Sequence, residues 1–195
     1  MKNIPALDSK VLDLVTEISK EPKVEAAMAF IKDQTEVAMQ EQIELCEIEA
    51  PTFHEEKRAA SVAERMKQYG LTDVHIDEIG NVIGIRKGSG NGPVLAIGAH
   101  MDSVFPAGTD VKVKKEGNIY RAPGIGDNCS GLRALLQVLR AMEKEDIRTV
   151  GDIWFVGTVG EEGNGDIRGS KHLCANNKLD GFVAILSLIH ISEPT

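Results

Sequence analysis

The sequence has no block of lysine or arginine, no long apolar run and no closely spaced pair of cysteines. Because the net charge is −8, nucleic acid and anionic membranes are not expected as main partners. The N-terminal stretch alternates charged and apolar residues, so neither a signal peptide nor a membrane span is predicted. The three scattered cysteines, Cys46, Cys129 and Cys174, fit a reducing compartment better than a disulfide scaffold. We therefore expect a cytoplasmic protein.

What the chain does contain is enough apolar sequence for one folded domain. Its 195 residues are 42% hydrophobic, which allows a sizeable core. The helical spacing of apolar residues predicts one long amphipathic helix from Pro22 to about Glu47 and a second helix from about Glu55 to Tyr69. A third helix is predicted to open at the glycine-rich segment APGIGDNCSG and to end at about Glu145.

Two short and wholly apolar segments predict buried strands. They are VLAIGA, which ends just before His100, and IWFVGTV, which precedes Glu161 and Glu162. The segment DVHIDEIGNVIGIRKG predicts two further strands joined at Gly80-Asn81, and VKVKKEGNIY predicts a surface hairpin. The order of strand, helix and strand implies a right-handed parallel crossover and an α/β fold.

Three polar motifs lie where these strands end or where the third helix begins. They are HMD, with His100 and Asp102; GIGDN, with Asp127; and GEEG, with Glu161 and Glu162. In open α/β sheets, ligands bind at the carboxyl ends of the strands. The three motifs are therefore expected to share one crevice.

Each motif also has an ordinary explanation when it is taken alone. Taken alone, His100 is better explained as a surface histidine beside an acidic side chain, although the Asp102 carboxylate could also fix a metal-binding imidazole. Asp127 could be a helix N-cap. Glu161 and Glu162 could belong to a solvated loop, yet like charges at a buried strand end repel each other unless a cation compensates them. Taken together, the five residues favour a metal site in which one glutamate binds metal and the other moves protons.

The segments AIGAHMDSV, APGIGDNCSGL and FVGTVGEEG together resemble the co-catalytic dizinc hydrolases. That family includes acetylornithine deacetylase, succinyl-diaminopimelate desuccinylase, tripeptide aminopeptidase (peptidase T) and glutamate carboxypeptidase. The resemblance implies a zinc-exopeptidase-like three-layer sandwich, with a mixed, mainly parallel central sheet flanked by helices. It also implies a zinc hydrolase that cleaves an amide or peptide bond of small peptides or N-acyl amino acids, and it is nearest to the tripeptide aminopeptidase branch.

Carried over by position, the resemblance gives each residue a role. His100 becomes a ligand of one zinc, Glu162 a ligand of the other, and Asp127 the carboxylate that bridges both. Glu161 becomes the general base, and Asp102 supports catalysis as the partner of the His100 ring. The implied cofactors are two Zn2+ ions, with Co2+ or Mn2+ as possible substitutes. The peptide bond between Asp127 and Asn128 is implied to be cis.

The sequence departs from this family after the segment GFVAI. Leu186 stands where the resemblance implies a further aspartate ligand, and no late histidine ligand follows in the family's pattern. The tail LSLIHISEPT resembles a translated sequencing-adapter read-through, so residues 186–195 are predicted to be non-native and residues 1–185 to be the N-terminal part of a catalytic domain. The alternative is a genuine terminal strand in which His190 substitutes as a ligand. Because each zinc then lacks one protein ligand, weak zinc binding and little hydrolysis are expected of this chain.

The sequence also leads to expectations about the substrate, the oligomeric state and the remaining histidines and cysteines. A small peptide or an acyl-amino acid is the expected substrate, and the resemblance implies a homodimer formed through a lid domain that this sequence lacks. The alternative function is a non-catalytic α/β module for metal binding or assembly. His54, His75 and His172 are predicted to be surface or structural residues, and Cys129 to be a helix-packing residue. No G-K-S/T sequence follows the glycines, so nucleotide binding is not predicted.

Overall fold

The computed structural model describes residues 8–186 of the chain. The helices are α1 (Ser9–Ile18), α2 (Pro22–Asp33), α3 (Thr35–Cys46), α4 (Glu56–Gln68), α5 (Cys129–Lys144) and α6 (Arg168–Asn176). The strands are β1 (Asp73–Ile76), β2 (Val82–Arg86), β3 (Leu95–His100), β4 (Lys114–Glu116), β5 (Ile119–Arg121), β6 (Ile153–Thr158) and β7 (Gly181–Ala184). The predictions for the tail after Leu186, including His190, lie outside the described residues.

The central sheet has the strand order β1-β2-β6-β3-β7. Strand β3 pairs in parallel with both β6 and β7, whereas β2 pairs antiparallel with both β1 and β6. Strand β2 therefore runs against the other four strands, so the sheet is mixed and mostly parallel. The remaining strands, β4 and β5, form the separate hairpin predicted from VKVKKEGNIY.

Helices cover both faces of this sheet. On one face, buried side chains of α4 and α5, including Met66 and Leu135, pack against β-strand residues such as Phe155. On the other face, Leu173 of α6 packs with Ala96 and the half-buried Trp154. The three-layer sandwich predicted from the sequence is therefore confirmed. None of the helices within residues 8–186 combines the length and the apolar character needed to span a bilayer.

The prediction of one continuous helix from Pro22 to about Glu47 is wrong. The chain forms two helices, α2 and α3, which are separated at Gln34. The Thr35 hydroxyl donates a hydrogen bond to the Lys32 carbonyl at 2.6 Å. Threonine side chains offer the backbone such local alternatives to the helical ladder. The apolar spacing continues across the break, and the sequence pattern alone therefore did not reveal it.

A buried arginine fixes the chain behind the end of β3. Arg58 of α4 is 1% exposed, and its Nη1 donates to the Met101 carbonyl at 2.7 Å. Its Nη2 donates to the carbonyls of Ile48 at 2.5 Å and Cys46 at 3.4 Å. The guanidinium thereby ties the loop after α3 to the segment that follows His100.

We expect Arg58→Met to destabilise the fold by about 3 kcal/mol, because the substitution leaves buried carbonyl groups without donors. Urea unfolding of both chains measures this difference. Lys67→Met on the exposed face of the same helix is the matched control, and its stability should stay near that of the parent chain. Equal losses for the two variants would contradict the role assigned to Arg58.

Candidate metal centre

The predicted crevice lies at the carboxyl ends of β3 and β6. His100 is the last residue of β3, and it lies opposite Thr158, the last residue of β6. Glu161 and Glu162 follow β6 in a turn, and Asp127 lies two residues before the first residue of α5. Parallel pairing of the two strands therefore brings all three sequence motifs to one edge of the sheet.

Three predicted ligands come together at this edge. One ligand atom from each of His100, Asp127 and Glu162 lies within 4.8 Å of the others. His100 is buried, and its Nε2 lies 3.0 Å from Asp127 Oδ1. Imidazole and carboxylate donors without thiolate are a set that suits zinc. Within residues 8–186 no fourth histidine, cysteine, aspartate or glutamate joins the group.

The orientation of the imidazole leaves Nε2 facing the carboxylates. His100 Nδ1 lies 3.2 Å from the backbone carbonyl of Asp102 and 3.5 Å from its Oδ1. A carbonyl oxygen only accepts, so Nδ1 carries the proton in this contact and Nε2 is the nitrogen available to a metal. The sequence predicted Asp102 as the partner of this ring, and in the structure the nearer acceptor is its backbone carbonyl.

The Asp102 carboxylate also organises the turn that carries the two glutamates. Its Oδ1 accepts the Glu161 amide at 2.9 Å, and its Oδ2 accepts the Glu162 amide at 3.0 Å. The Thr52 hydroxyl donates to Oδ2 at 2.9 Å. Burial alone would raise the pKa of Asp102, but the His100 ring and the two amides outweigh it and lower the pKa to about 2. These amide contacts were not predicted, because nothing in an H-x-D pattern specifies them.

We expect Asp102→Asn to lower the stability of the metal-free chain by about 2 kcal/mol at pH 7. The folded-state pKa lies below the usual 3.8, so this contribution is complete above that value and is lost as the pH falls towards 2. Urea unfolding with chelator present, at pH 7 and pH 3, measures the difference. Asp13→Asn, on the exposed helix α1, is the control. A loss that is the same at both pH values would contradict the electrostatic origin.

The pKa values of His100 and Glu162 reflect the crowding of carboxylates around one imidazole. Burial lowers the pKa of His100, but Asp102 and the charges of Glu161 and Asp127 outweigh it, so the pKa lies above the usual value. Partial burial raises the pKa of Glu162, and the charge of Asp127 raises it further. A bound cation would offset this repulsion between the carboxylates.

Glu161 lies beside the three predicted ligands. Its Oε2 is 3.9 Å from His100 Nε2, and its side chain is partly exposed. Together with His100, it lines a cavity of about 200 Å³ that is also lined by Leu186 and Phe182. The position at which the resemblance implied a further aspartate therefore faces the site with an apolar side chain.

The N-cap of α5 is the residue after Asp127. Asn128 is the N-cap of α5, and its Oδ1 accepts the Gly131 amide at 3.1 Å. Asp127 is therefore not the cap that its position alone favoured. The peptide bond between the two residues is cis, as the resemblance implied.

Sequence reasoning missed a second support of the glutamate turn. Glu55 is buried, and its Oε1 accepts the Gly160 amide at 3.0 Å. Arg168 Nη2 donates to both oxygens of Glu55 at 2.9 Å. The two side chains are 113 residues apart in the sequence, and no local pattern could have paired them.

The remaining candidate residues lie outside the centre. His54 is exposed. His75 Nδ1 lies 3.6 Å from Asp73 Oδ1, and His172 Nε2 lies 3.0 Å from Glu78 Oε1. Cys129 is buried at the start of α5, as predicted for a packing residue. The three cysteines form no disulfide. The cytoplasmic location inferred from them stays a prediction.

Comparison with known proteins adds an independent line of evidence. A protein of Pyrococcus abyssi named as a LysW-lysine/LysW-ornithine hydrolase is 35% identical over 120 residues, which cover 62% of this chain and 32% of that protein. The crystal structure of a tripeptidase from Staphylococcus aureus subsp. aureus Mu50 has a TM-score of 0.63 and 30% identity, covering 77% of this chain and 43% of that one. Aminopeptidase PepT from Bacillus cereus shares the fold, with a TM-score of 0.65 and 24% identity. The match covers 77% of this chain and 43% of the PepT chain.

These matches span only part of the related proteins, and this chain covers about a third of the length of the Pyrococcus relative. The family model described as peptidase family M20/M25/M40 matches residues 96–195, which are just over half of the chain and include all three motifs. Members of this family depend on metal ions. The family predicted from the three motifs is confirmed, and the chain belongs to peptidase family M20/M25/M40.

Proposed function

We propose that this chain carries the metal-binding part of a zinc-dependent hydrolase that cleaves an amide or peptide bond in small peptides or N-acyl amino acids. The observation that supports this most directly is the convergence of His100, Asp127 and Glu162 beside Glu161. The likeness to a solved tripeptidase supports the narrower proposal of tripeptide aminopeptidase-like activity.

In this proposal the ligands and the proton carrier are different residues. His100, Asp127 and Glu162 would hold the metal, Asp127 would be shared if two zinc ions bind, and Co2+ or Mn2+ could replace Zn2+. Bound zinc would polarise the substrate carbonyl and lower the pKa of a water molecule. Glu161 would take a proton from the attacking water and pass it to the leaving amine. Asp102 holds the His100 ring and both glutamate amides in place for these steps.

The two adjacent glutamates can divide these tasks because their backbone is fixed. Both amides donate to one carboxylate, so the turn is held while the two side chains project separately. The Glu162 carboxylate reaches the ligand group, whereas Glu161 lies beside His100 and remains partly exposed. A carboxylate that lies beside the proposed ligands without being one of them is suited to act as a general base.

A non-catalytic module for metal binding or assembly is the second candidate. The observation in its favour is Leu186, an apolar residue on the site cavity where the family resemblance implied an aspartate. Such a module would bind metal through the same three residues without turning over a peptide.

One experiment separates the two candidates. Zinc is added stepwise to the metal-free chain while cleavage of leucyl-glycyl-glycine and of N-acetyl-leucine is followed by release of the free amine. The enzyme proposal expects slow hydrolysis that requires zinc and saturates with it. Zinc binding with no cleavage of either compound would favour the module, and cleavage that a chelator leaves unchanged would contradict both proposals.

A further inference from the structure

One aromatic side chain beside the metal centre has an unusual backbone conformation. Phe53 has a φ of 74°, in the left-handed region that bulky residues rarely adopt, and it is 51% exposed. Such a conformation persists only where the surrounding structure imposes it, and such residues cluster at binding and active sites. An exposed phenylalanine in this state suggests that the ring itself has a role.

The Phe53 ring is supported from one side by a fixed cation. The Arg168 guanidinium lies 5.1 Å from the centre of the ring. Arg168 is fixed in turn, because it donates to both oxygens of buried Glu55 and to the Ile79 carbonyl at 3.0 Å. A ring held in this way is already ordered, so a ligand that packs on it bears less of the cost of ordering.

The other walls define a small cavity next to the metal ligands. Phe53, Val104 and Phe105 provide apolar walls, and Glu162 lies at the border of the same space, which has a volume of about 300 Å³. We call this space the Phe53 cavity. Val104 is 64% exposed, so the cavity presents apolar surface to solvent directly beside a proposed metal ligand.

The Phe53 cavity and the metal centre are positioned by the same oxygen atom. Asp102 Oδ2 accepts the Thr52 hydroxyl at 2.9 Å and the Glu162 amide at 3.0 Å. A further backbone contact, from the Ser103 amide to the Ala50 carbonyl at 2.9 Å, fixes the two loops to each other. The spacing between the apolar walls and Glu162 is therefore set by direct hydrogen bonds.

We propose that the Phe53 cavity binds the apolar side chain of the substrate residue that supplies the scissile carbonyl. This inference rests on the proposed function and narrows its substrate class to apolar acyl or aminoacyl groups. The scissile carbonyl must reach the metal ligands. The side chain of the same residue branches from the carbon bonded to that carbonyl, so it would lie close to Glu162. Burial of apolar side-chain surface against the walls favours binding. The volume of the cavity is near the lower end for ligand clefts, which suits one side chain and not a whole peptide.

The test compares two probes that differ only in the apolar side chain. Leucine hydroxamate and glycine hydroxamate are titrated calorimetrically into the zinc-loaded chain, and the His100→Ala chain serves to subtract complexes with free zinc. We expect leucine hydroxamate to bind roughly tenfold more tightly. Phe53→Ala and Val104→Ala should each move the ratio of the two affinities towards one and leave the affinity for glycine hydroxamate unchanged.

Val150→Ala is the matched control, because Val150 is 63% exposed, almost the same as Val104, and does not line the Phe53 cavity. It should keep the full ratio. Equal affinities for the two hydroxamates on a chain that binds zinc would overturn this inference and leave the proposed function standing. A ratio that survives Phe53→Ala would also overturn it. If neither probe binds because zinc itself does not bind, both the inference and the proposed function are wrong.

Discussion

His100→Ala is expected to weaken zinc binding by roughly 100-fold or more, because it removes the one nitrogen donor of the three ligands. His100 Nε2 is the atom that faces the Asp127 carboxylate, and the ring is held by the Asp102 carbonyl. Isothermal titration of zinc into the metal-free variant and into the parent chain measures the change. Among the described histidines, exposed His54 gives the matched control, and His54→Ala should bind zinc as the parent chain does.

Since His100 is buried, its replacement could act through folding and not through ligation. Asp127→Asn separates the two effects, because it keeps the shape of the side chain and removes its charge. A folded Asp127→Asn chain, judged by circular dichroism and thermal unfolding, should lose zinc affinity by a similar factor. Unchanged affinity in both folded variants would show that zinc binds elsewhere.

Glu161→Gln is expected to lower zinc-dependent hydrolysis at least 100-fold while zinc affinity stays within a few-fold of the parent chain, since general acid–base catalysis contributes roughly 10²–10⁴-fold. The substitution keeps the backbone amide that donates to Asp102, so the turn should be preserved. Release of free amine from leucyl-glycyl-glycine at saturating zinc measures turnover, and calorimetry measures the metal.

Glu162→Gln is the matched comparison for Glu161→Gln, because the two residues are adjacent and chemically identical. In our account Glu162→Gln loses zinc affinity, whereas Glu161→Gln loses turnover with the metal retained. The reverse pattern would exchange the roles of the two glutamates. Equal effects of both substitutions on zinc affinity would show that the pair binds metal jointly and that neither residue is reserved for proton transfer.

Much of the fold could be predicted because its signals are local. The two wholly apolar segments became β3 and β6, paired in parallel, and the residues that end them lie at one edge of the sheet. The geometry of the candidate site followed from this pairing, because His100 and the glutamate turn need only adjacent strand ends to meet. The cis bond at Asp127-Asn128 came from the family resemblance and not from any periodicity.

What could not be predicted depends on contacts between distant residues or on single side chains. At the break between α2 and α3 the Thr35 hydroxyl donates to the Lys32 carbonyl, and the apolar spacing of the sequence continues across the break. The pairing of Arg168 with Glu55 joins residues 113 positions apart, so no local window contains both residues. The N-cap of α5 is Asn128 and not Asp127. A sequence pattern does not distinguish between two adjacent residues that can both cap a helix. The metal and catalytic roles of the five site residues stay predictions.

The most direct test of our central proposal is anomalous diffraction at the zinc edge from crystals of the zinc-loaded chain. We expect a zinc peak about 2.0–2.2 Å from His100 Nε2 and from a carboxylate oxygen of Asp127. Glu162 should bind the same ion or, where two ions bind, a second ion that shares Asp127, and the Glu161 carboxylate should lie outside the coordination sphere. A peak bound by Glu161 in place of Glu162, or zinc peaks with none at His100, would contradict the assignment.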